Sequence, residues 1–183
     1  MSNARSLTEA EFGEALAGFE HTAFRLELQP AYVEPSETDL LAAFLRGEPF
    51  PATEVPEFRQ WFGQVAAQTR DGKHMERVRV QQDPPTPYQR FERWLDQWNI
   101  QSGETMRYLT WQRAHEVELL PAADGPDWWL LDSSRLIVMR FDWEGRRVSN
   151  LLVTDPETVI KACKWRDLAV HHSVQAQLSD VAA

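Results

Sequence analysis

Regular patterning of the chain starts at Thr8-Glu9-Ala10-Glu11, a capping box in which side chains satisfy two of the free N–H groups at a helix start. Phe12, Leu16 and Phe19 follow at spacings of four and three, which predicts a short first helix. Then "TAFRLEL" alternates, with Phe24, Leu26 and Leu28 on one side and Arg25 and Glu27 on the other. That is the pattern of a half-buried strand with its charged side toward water, ended by Pro30. Ser36, with Asp39 three residues later, predicts the cap of a second helix bearing Leu40, Leu41, Phe44 and Leu45, closed by Gly47. The Pro-rich "GEPFPATEVPEF" reads as a connector. A third helix follows, with Phe58, Trp61, Phe62, Val65 and Thr69 on one face and a stop at Asp71-Gly72.

The second half changes character. Arg77-Val78-Arg79-Val80 alternates like a strand, a helix runs from Thr86 to about Asn99, and "ETMRYL" makes a further strand after Gly103. Strand, helix and strand within ~30 residues is the length of a right-handed βαβ unit and implies parallel pairing. "DWWLLD" and "RLIVMRF" are apolar on both faces, as central strands covered by helices are. Asp142-Trp143-Glu144-Gly145 turns the chain into "RRVSNLLV", read as an antiparallel neighbour. Thr154-Asp155-Pro156-Glu157 is a further capping box and opens a long last helix through Val159, Cys163, Leu168 and Val170. The pattern as a whole predicts one α+β domain over 1–183. Residues 1–72 form a mostly helical N-terminal part. Residues 73–178 form a mixed sheet of about five or six strands, with a βαβ unit and an antiparallel meander under packed helices.

One stretch, "PPTPYQRFERW", sets two arginines among three rings and raises the question of nucleic-acid binding. Thr86 is a natural N-cap, Pro87 takes the first helical position and Gln89 completes the capping box. Tyr88, Phe91, Leu95 and Trp98 then share one helical face, the face expected to pack on the sheet. Arg90, Arg93 and Gln97 lie opposite, with Glu92 and Asp96 cancelling their charge. A nucleic-acid surface places rings and cations together under net positive charge. Here they are segregated, so a core helix is predicted and no direct nucleic-acid contact.

Charge reinforces that reading. With 28 acidic and 19 basic residues among 183, the net charge is −9, which repels a phosphate backbone unless the bases gather on one face. Eight Trp and nine Phe supply large buried surfaces, so no disulfide or metal is needed to hold a core. The single Cys163 has no intramolecular partner. No apolar run reaches membrane-spanning length and the N-terminal residues carry no signal core, so a cytoplasmic protein without membrane contact is expected.

Candidate chemistry is sparse. His21, His74, His115, His171 and His172 lack zinc-ligand spacing, so no metal site and no cofactor is predicted. No G-x-G-x-x-G, P-loop or G-x-S-x-G motif occurs, and no catalytic residue can be named. Ligands of open α/β sheets sit beyond the carboxyl ends of parallel strands. Those ends carry Asp83, Trp111, Arg113 and Asp132, beside the helix start at Thr86, a combination suited to an anion or nucleotide. The competing reading is that Asp132 caps a turn and Arg113 forms a surface ion pair. A partner-binding patch is the other candidate: Phe50, between Pro49 and Pro51, with Trp61 on the following helix.

"FEHTAFRLELQPAYVEP", "RVRVQQDPPTPYQRFE", "DWWLLDSSRLIVMRFDWEGR" and "CKWRDLAVHHS" resemble an uncharacterised actinobacterial family of unknown function. Its genes tend to lie near helix-turn-helix regulators and small partner proteins. The resemblance implies a regulatory or accessory role through another protein, such as one of those regulators or small partner proteins. The strand-helix-strand-meander order is distantly similar to a phospholipase-D-like half-domain. That superfamily's H-x-K is missing, since none of the five histidines is followed two residues later by Lys. The expectation is therefore a non-enzymatic cytoplasmic regulatory or protein-interaction domain of unknown oligomeric state. The alternative is a small-ligand-binding domain or hydrolase with its site at the strand ends.

Overall fold

The structure is a computed structural model describing residues 4–120, 123 and 125–181. Its strands are β1 (Ala4–Leu7), β2 (Thr22–Glu27), β3 (His74–Gln81), β4 (Thr105–Thr110), β5 (Asp127–Leu131), β6 (Arg135–Phe141), β7 (Arg147–Val153) and β8 (Val174–Gln175). Its helices are α1 (Glu9–Ala17), α2 (Thr38–Leu45), α3 (Pro56–Arg70), α4 (Pro87–Gln101), α5 (Trp111–Glu116), α6 (Pro156–His172) and α7 (Leu178–Val181).

All eight strands join one mixed sheet in the order β1-β7-β6-β5-β2-β3-β4-β8. The pairs β2–β3 and β3–β4 are parallel, so the predicted βαβ unit is β3-α4-β4. The meander β5-β6-β7 is antiparallel, as the apolar runs and the turn at Asp142–Gly145 suggested. Two corrections concern the sheet's edges and its middle. The expected five or six strands become eight because β1 and β8 add at the two edges, and segments of four and two residues leave no alternating signature. The sheet also reaches beyond residues 73–178, since the first 72 residues supply β1 and the central strand β2 besides α1, α2 and α3.

Helix starts mostly follow their caps. The capping boxes at Thr8 and Thr86 are both closed. The predicted cap at Ser36 is not: Pro35–Glu37 makes a 3-10 turn that runs straight into α2, whose N-cap Glu37 makes no side-chain bond to the helix start. The cap of α6 is Asp155, accepting from the Thr158 N–H at 3.0 Å, one residue beyond the expected Thr154. Pro156 takes the first helical position, which suits its fixed φ.

The sheet has two unlike faces. Phe24, Leu26, Val78, Val80, Leu109, Trp128, Leu130 and Leu136 form one, an apolar layer packed on Ala114 of α5 and on Val159, Ala162 and Ala169 of α6. Cys163 sits half-buried at that layer's margin. The opposite face is divided. Ala23, Met75, Trp129, Leu131, Ile137 and Met139 pack beneath α1 and α3, through Leu16 and Val65. Along the middle of that face the side chains are charged, and α4 covers them.

Here the sequence reading of α4 is overturned. Phe91 and Leu95 are buried, but their stripe packs on α2 and α3, against Leu40, Phe44 and Phe62. Of the buried residues one position along, Glu92, Asp96 and Asn99 bond instead to β3 and to one another, and Gln89 accepts from the Gln82 N–H just past β3 at 3.2 Å. Two stripes of the same spacing lie about 100° apart on one helix. The polar stripe, not the aromatic one, meets the sheet, because the sheet opposite it is itself charged. Arg90 is exposed as predicted, whereas Arg93 lies half-buried, bonded to Gln81 Oε1 at 2.8 Å and placed 4.5 Å from the Tyr108 ring centre.

Candidate functional site

The parallel register of β2 and β3 sets Arg25 beside Arg77 and Glu27 beside Arg79. In a pleated strand, residues two apart share a face, so these four side chains form a square on the face beneath α3 and α4. β2 was expected to turn its charges to water, and β3 carries the same alternation. Arg77, Arg79 and Glu27 are instead buried.

Carboxylates converge on the square from several elements. Arg79 grips Asp96 of α4 with two bonds, at 3.1 and 2.9 Å, reaches Glu92 at 2.7 Å and contacts Glu27. Arg77 bonds Glu27 at 3.1 Å and Glu104, just before β4, at 2.8 Å. Arg25 lies 2.9 Å from Glu27 and 3.7 Å from Asp127. Tyr108 and Asn99 donate to Asp96 at 2.8 and 3.0 Å, and Tyr32 donates to Asp127 at 2.5 Å. The lattice holds three guanidiniums, Arg25, Arg77 and Arg79, against five carboxylates, Glu27, Glu92, Asp96, Glu104 and Asp127.

That excess of acid sorts the carboxyl groups. Burial disfavours the Glu27 carboxylate, yet Arg25, Arg79 and Arg77 around it outweigh burial and hold its pKa down at about 2. Burial pushes Glu92 up to about 8: Arg79 opposes this, but Glu27, Asp96 and Glu37 add like charge. Asp127 is pushed up to about 6, again mainly by burial. Desolvation pushes half-buried Glu37 up to about 7, against the hydrogen bond it accepts from Tyr88 at 2.6 Å.

Above this floor lies a cavity of about 310 Å³. Phe12, Phe58, Trp61, Trp129, Phe141, Tyr32 and Tyr88 give it an aromatic wall, while Glu34, Glu57 and Arg147 add charge. Trp61 meets Trp129 edge-on at 6.2 Å, and the Arg25 and Arg77 guanidiniums lie 5.5 and 5.8 Å from the Trp129 ring centre. The Trp129 indole N–H has no hydrogen-bond partner although the residue is only 1% exposed. The wall at Tyr32 is braced from outside by the β6–β7 turn, where Val33 N–H donates to Gly145 O at 2.9 Å. Gly145 has φ 89°, and a Cβ there would stand 2.7 Å from the Ala31 carbonyl oxygen.

The strand-end candidates do not form this site. Asp83, Thr86, Trp111 and Arg113 do share the carboxyl edge of the parallel strands β3 and β4. There Thr86 caps α4, and Trp111 and Arg113 belong to α5, which Thr110 caps. Arg113 pairs with Glu116 at 3.1 Å and lies 3.2 Å from His172 Nδ1. Asp132 is at the other end of the sheet, because β5 runs antiparallel to β2. It accepts from the Glu20, His21 and Thr22 N–H groups at 2.8–3.2 Å, bonds that outweigh its burial and lower its pKa to about 2. The turn-cap and ion-pair readings thus describe Asp132 and Arg113. Of the two partner candidates, Trp61 lines the cavity and half-buried Phe50 packs against the α2–α4 cluster. No group of three His, Cys, Asp or Glu side chains is placed to hold a metal among the described residues, and none of the cavity-lining residues is a histidine.

Sequence reasoning missed the lattice because alternation does not say which face is wet. A usable signal did exist. Gln89, Glu92, Asp96 and Asn99 form a polar stripe parallel to the apolar one, and "RVRV" and "FRLEL" offer it complementary charge.

Residues 10–177 match the family described as a domain of unknown function, DUF6879, and the chain belongs to it. No curated protein matches the sequence. Among solved structures the fold is similar to Nuc from Salmonella typhimurium, a phospholipase D family member, with a TM-score of 0.53 at 8% identity over 97% of this chain and 98% of that one. NucT from Helicobacter pylori gives 0.51 at 11% identity over 96% and 99%. Phosphatidylserine synthase of Haemophilus influenzae Rd KW20 gives 0.53 at 9% identity, with 99% of this chain covering 42% of that one. At such identities the likeness is one of fold.

Proposed function

We propose that this chain is a small-ligand-binding domain that uses a phospholipase-D-like fold without phosphodiester chemistry. The observation that carries the reading is the cavity itself: a concave, ring-walled space over a floor of fixed charges, the form small-molecule sites take. A catalytic reading fares less well, since the H-x-K pair is absent and the cavity lining offers no histidine to act as nucleophile or proton donor. The regulatory role expected from the sequence fits such a domain if ligand occupancy alters contact with a protein partner. Half-buried Phe50, on the connector between α2 and α3, remains the residue proposed for that contact.

A ligand screen tests the proposal. Trp61 and Trp129 form the wall, so binding should change intrinsic fluorescence and raise the melting temperature when a chemically broad metabolite library is offered. Trp61→Ala should abolish the response while the fold persists. A library without one saturable hit, or steady hydrolysis of bis(p-nitrophenyl) phosphate by the purified chain, refutes it.

A further inference from the structure

The geometry points to an organic cation, an ammonium borne on an aromatic or apolar body, as the class of ligand this cavity takes; the inference rests on the ligand-binding reading above. Four arginines line the cavity, and each already holds a carboxylate: Arg25, Arg77 and Arg79 within the lattice, and Arg147 on Glu9 at 2.6 Å. The acids are not so committed. Among the described residues Glu34 and Glu57 form no ion pair, and Glu37 has only the neutral Tyr88 hydroxyl at 2.6 Å. Glu92 shares Arg79 with Glu27 and Asp96. An anion entering here meets the unpaired Glu34 and Glu57 and no guanidinium without a carboxylate of its own. A cation meets unspent carboxylates beside Trp61, Phe58, Tyr32 and Tyr88, whose ring faces also attract positive charge.

A second observation, independent of charge, comes from the cavity wall. Trp129 forms part of the wall, is nine-tenths buried and more, and its indole N–H has no acceptor. Buried donors are satisfied almost without exception, so an oxygen acceptor carried beside the ammonium would give this N–H a partner if it reached it. Glu92 and Glu37 both line the cavity, and burial raises their pKa values to about 8 and about 7; a cation bound beside them would favour the carboxylates and send the protons they hold to solvent. The groups facing Glu92 are Arg79 and Gln81 of β3, Glu27 of β2, Asp96 of its own helix and Glu37 of the turn before α2.

Three probes sharing one ring and differing in charge form the test: phenethylamine, 2-phenylethanol and 3-phenylpropionate, titrated into the full chain by fluorescence and calorimetry at pH 7. The amine is expected to bind at least about tenfold tighter than the other two, the equivalent of ~1.4 kcal/mol. Its binding should also release protons, seen as a heat that changes with the buffer's ionisation enthalpy. E34Q with E57Q, at the cavity's margin, should weaken the amine several-fold and leave the melting temperature unmoved, while E92Q should remove most of the proton release. Equal or tighter binding of 3-phenylpropionate or 2-phenylethanol overturns the cationic assignment and leaves the ligand-binding reading intact. Binding of none of the three also overturns it, and silence from the metabolite library as well brings down the reading itself.

Discussion

Arg79 shows how far one side chain can depart from its sequence signature. In "RVRV" it reads as the wet side of a strand, and in the structure it is 4% exposed and bonded to three carboxylates. Removing one member of a buried ionic network strands its partners, which costs about 3–5 kcal/mol. R79L should therefore lower stability by roughly that amount or prevent folding, because Asp96 is left without a counter-charge and Glu27 loses one of its three. Urea denaturation measures it; a midpoint like the wild type's means the lattice does not form. E92Q should behave oppositely. Glu92 has a raised pKa and holds its proton at neutral pH, so an amide replaces it with little loss.

At the scale of elements, α4 holds two layers together through two stripes. Phe91, fully buried between α2 and α3, belongs to the apolar one, and F91A should cost about 3–5 kcal/mol, the usual range for a buried Phe. An unmoved denaturation midpoint would place that stripe at the surface. The turn between β6 and β7 offers a different handle. At φ 89°, with the Ala31 carbonyl 2.7 Å from any added Cβ, Gly145 admits no side chain without displacing the segment that carries Tyr32. G145A should weaken ligand binding several-fold although the turn lies outside the cavity, with Trp61 and Trp129 fluorescence as the readout. The elements themselves were legible where a cap and a period agreed, as at Thr8, Thr86 and the β5–β7 meander. Edge strands β1 and β8 were not, because pairing with a neighbour, rather than any pattern of their own, makes them strands. The cavity was invisible for a related reason: Arg25, Glu27, Arg77 and Arg79 alternate as a solvent-facing strand does, and only the register of β2 on β3 and the polar stripe of α4 convert that alternation into a buried floor.

For the whole molecule the sorted carboxyls predict how stability varies with pH. Glu92, Glu37 and Asp127 have folded pKa values of about 8, 7 and 6, above the ordinary 4.5 and 3.8. Between the ordinary and the raised values the folded chain binds more protons than the unfolded one, so stability is full below about pH 4 and falls as pH rises through 6 to 8. Glu27 and Asp132, lowered to about 2, act in the other direction and withdraw their contribution as pH falls below 4.5. The melting temperature should thus peak in mild acid, near pH 5, and decline toward pH 8.5. E92Q should flatten the alkaline limb and leave the acid limb as it was. Thermal scans across pH 3–9 decide the matter, and a maximum above pH 7.5 contradicts the assignment.

The lattice also bears on how such a chain can drift through time. Three guanidiniums interlocked with five carboxylates admit few single substitutions, since Arg79 answers to Asp96, Glu92 and Glu27 at once and Glu27 to three arginines. Descendants that keep the fold should alter these positions jointly or not at all. The ring-lined wall, where one apolar side chain stands in for another at small cost, is free to change singly. New ligand preferences would then arise at Phe12, Phe58 and Trp61 over an unchanging ionic floor.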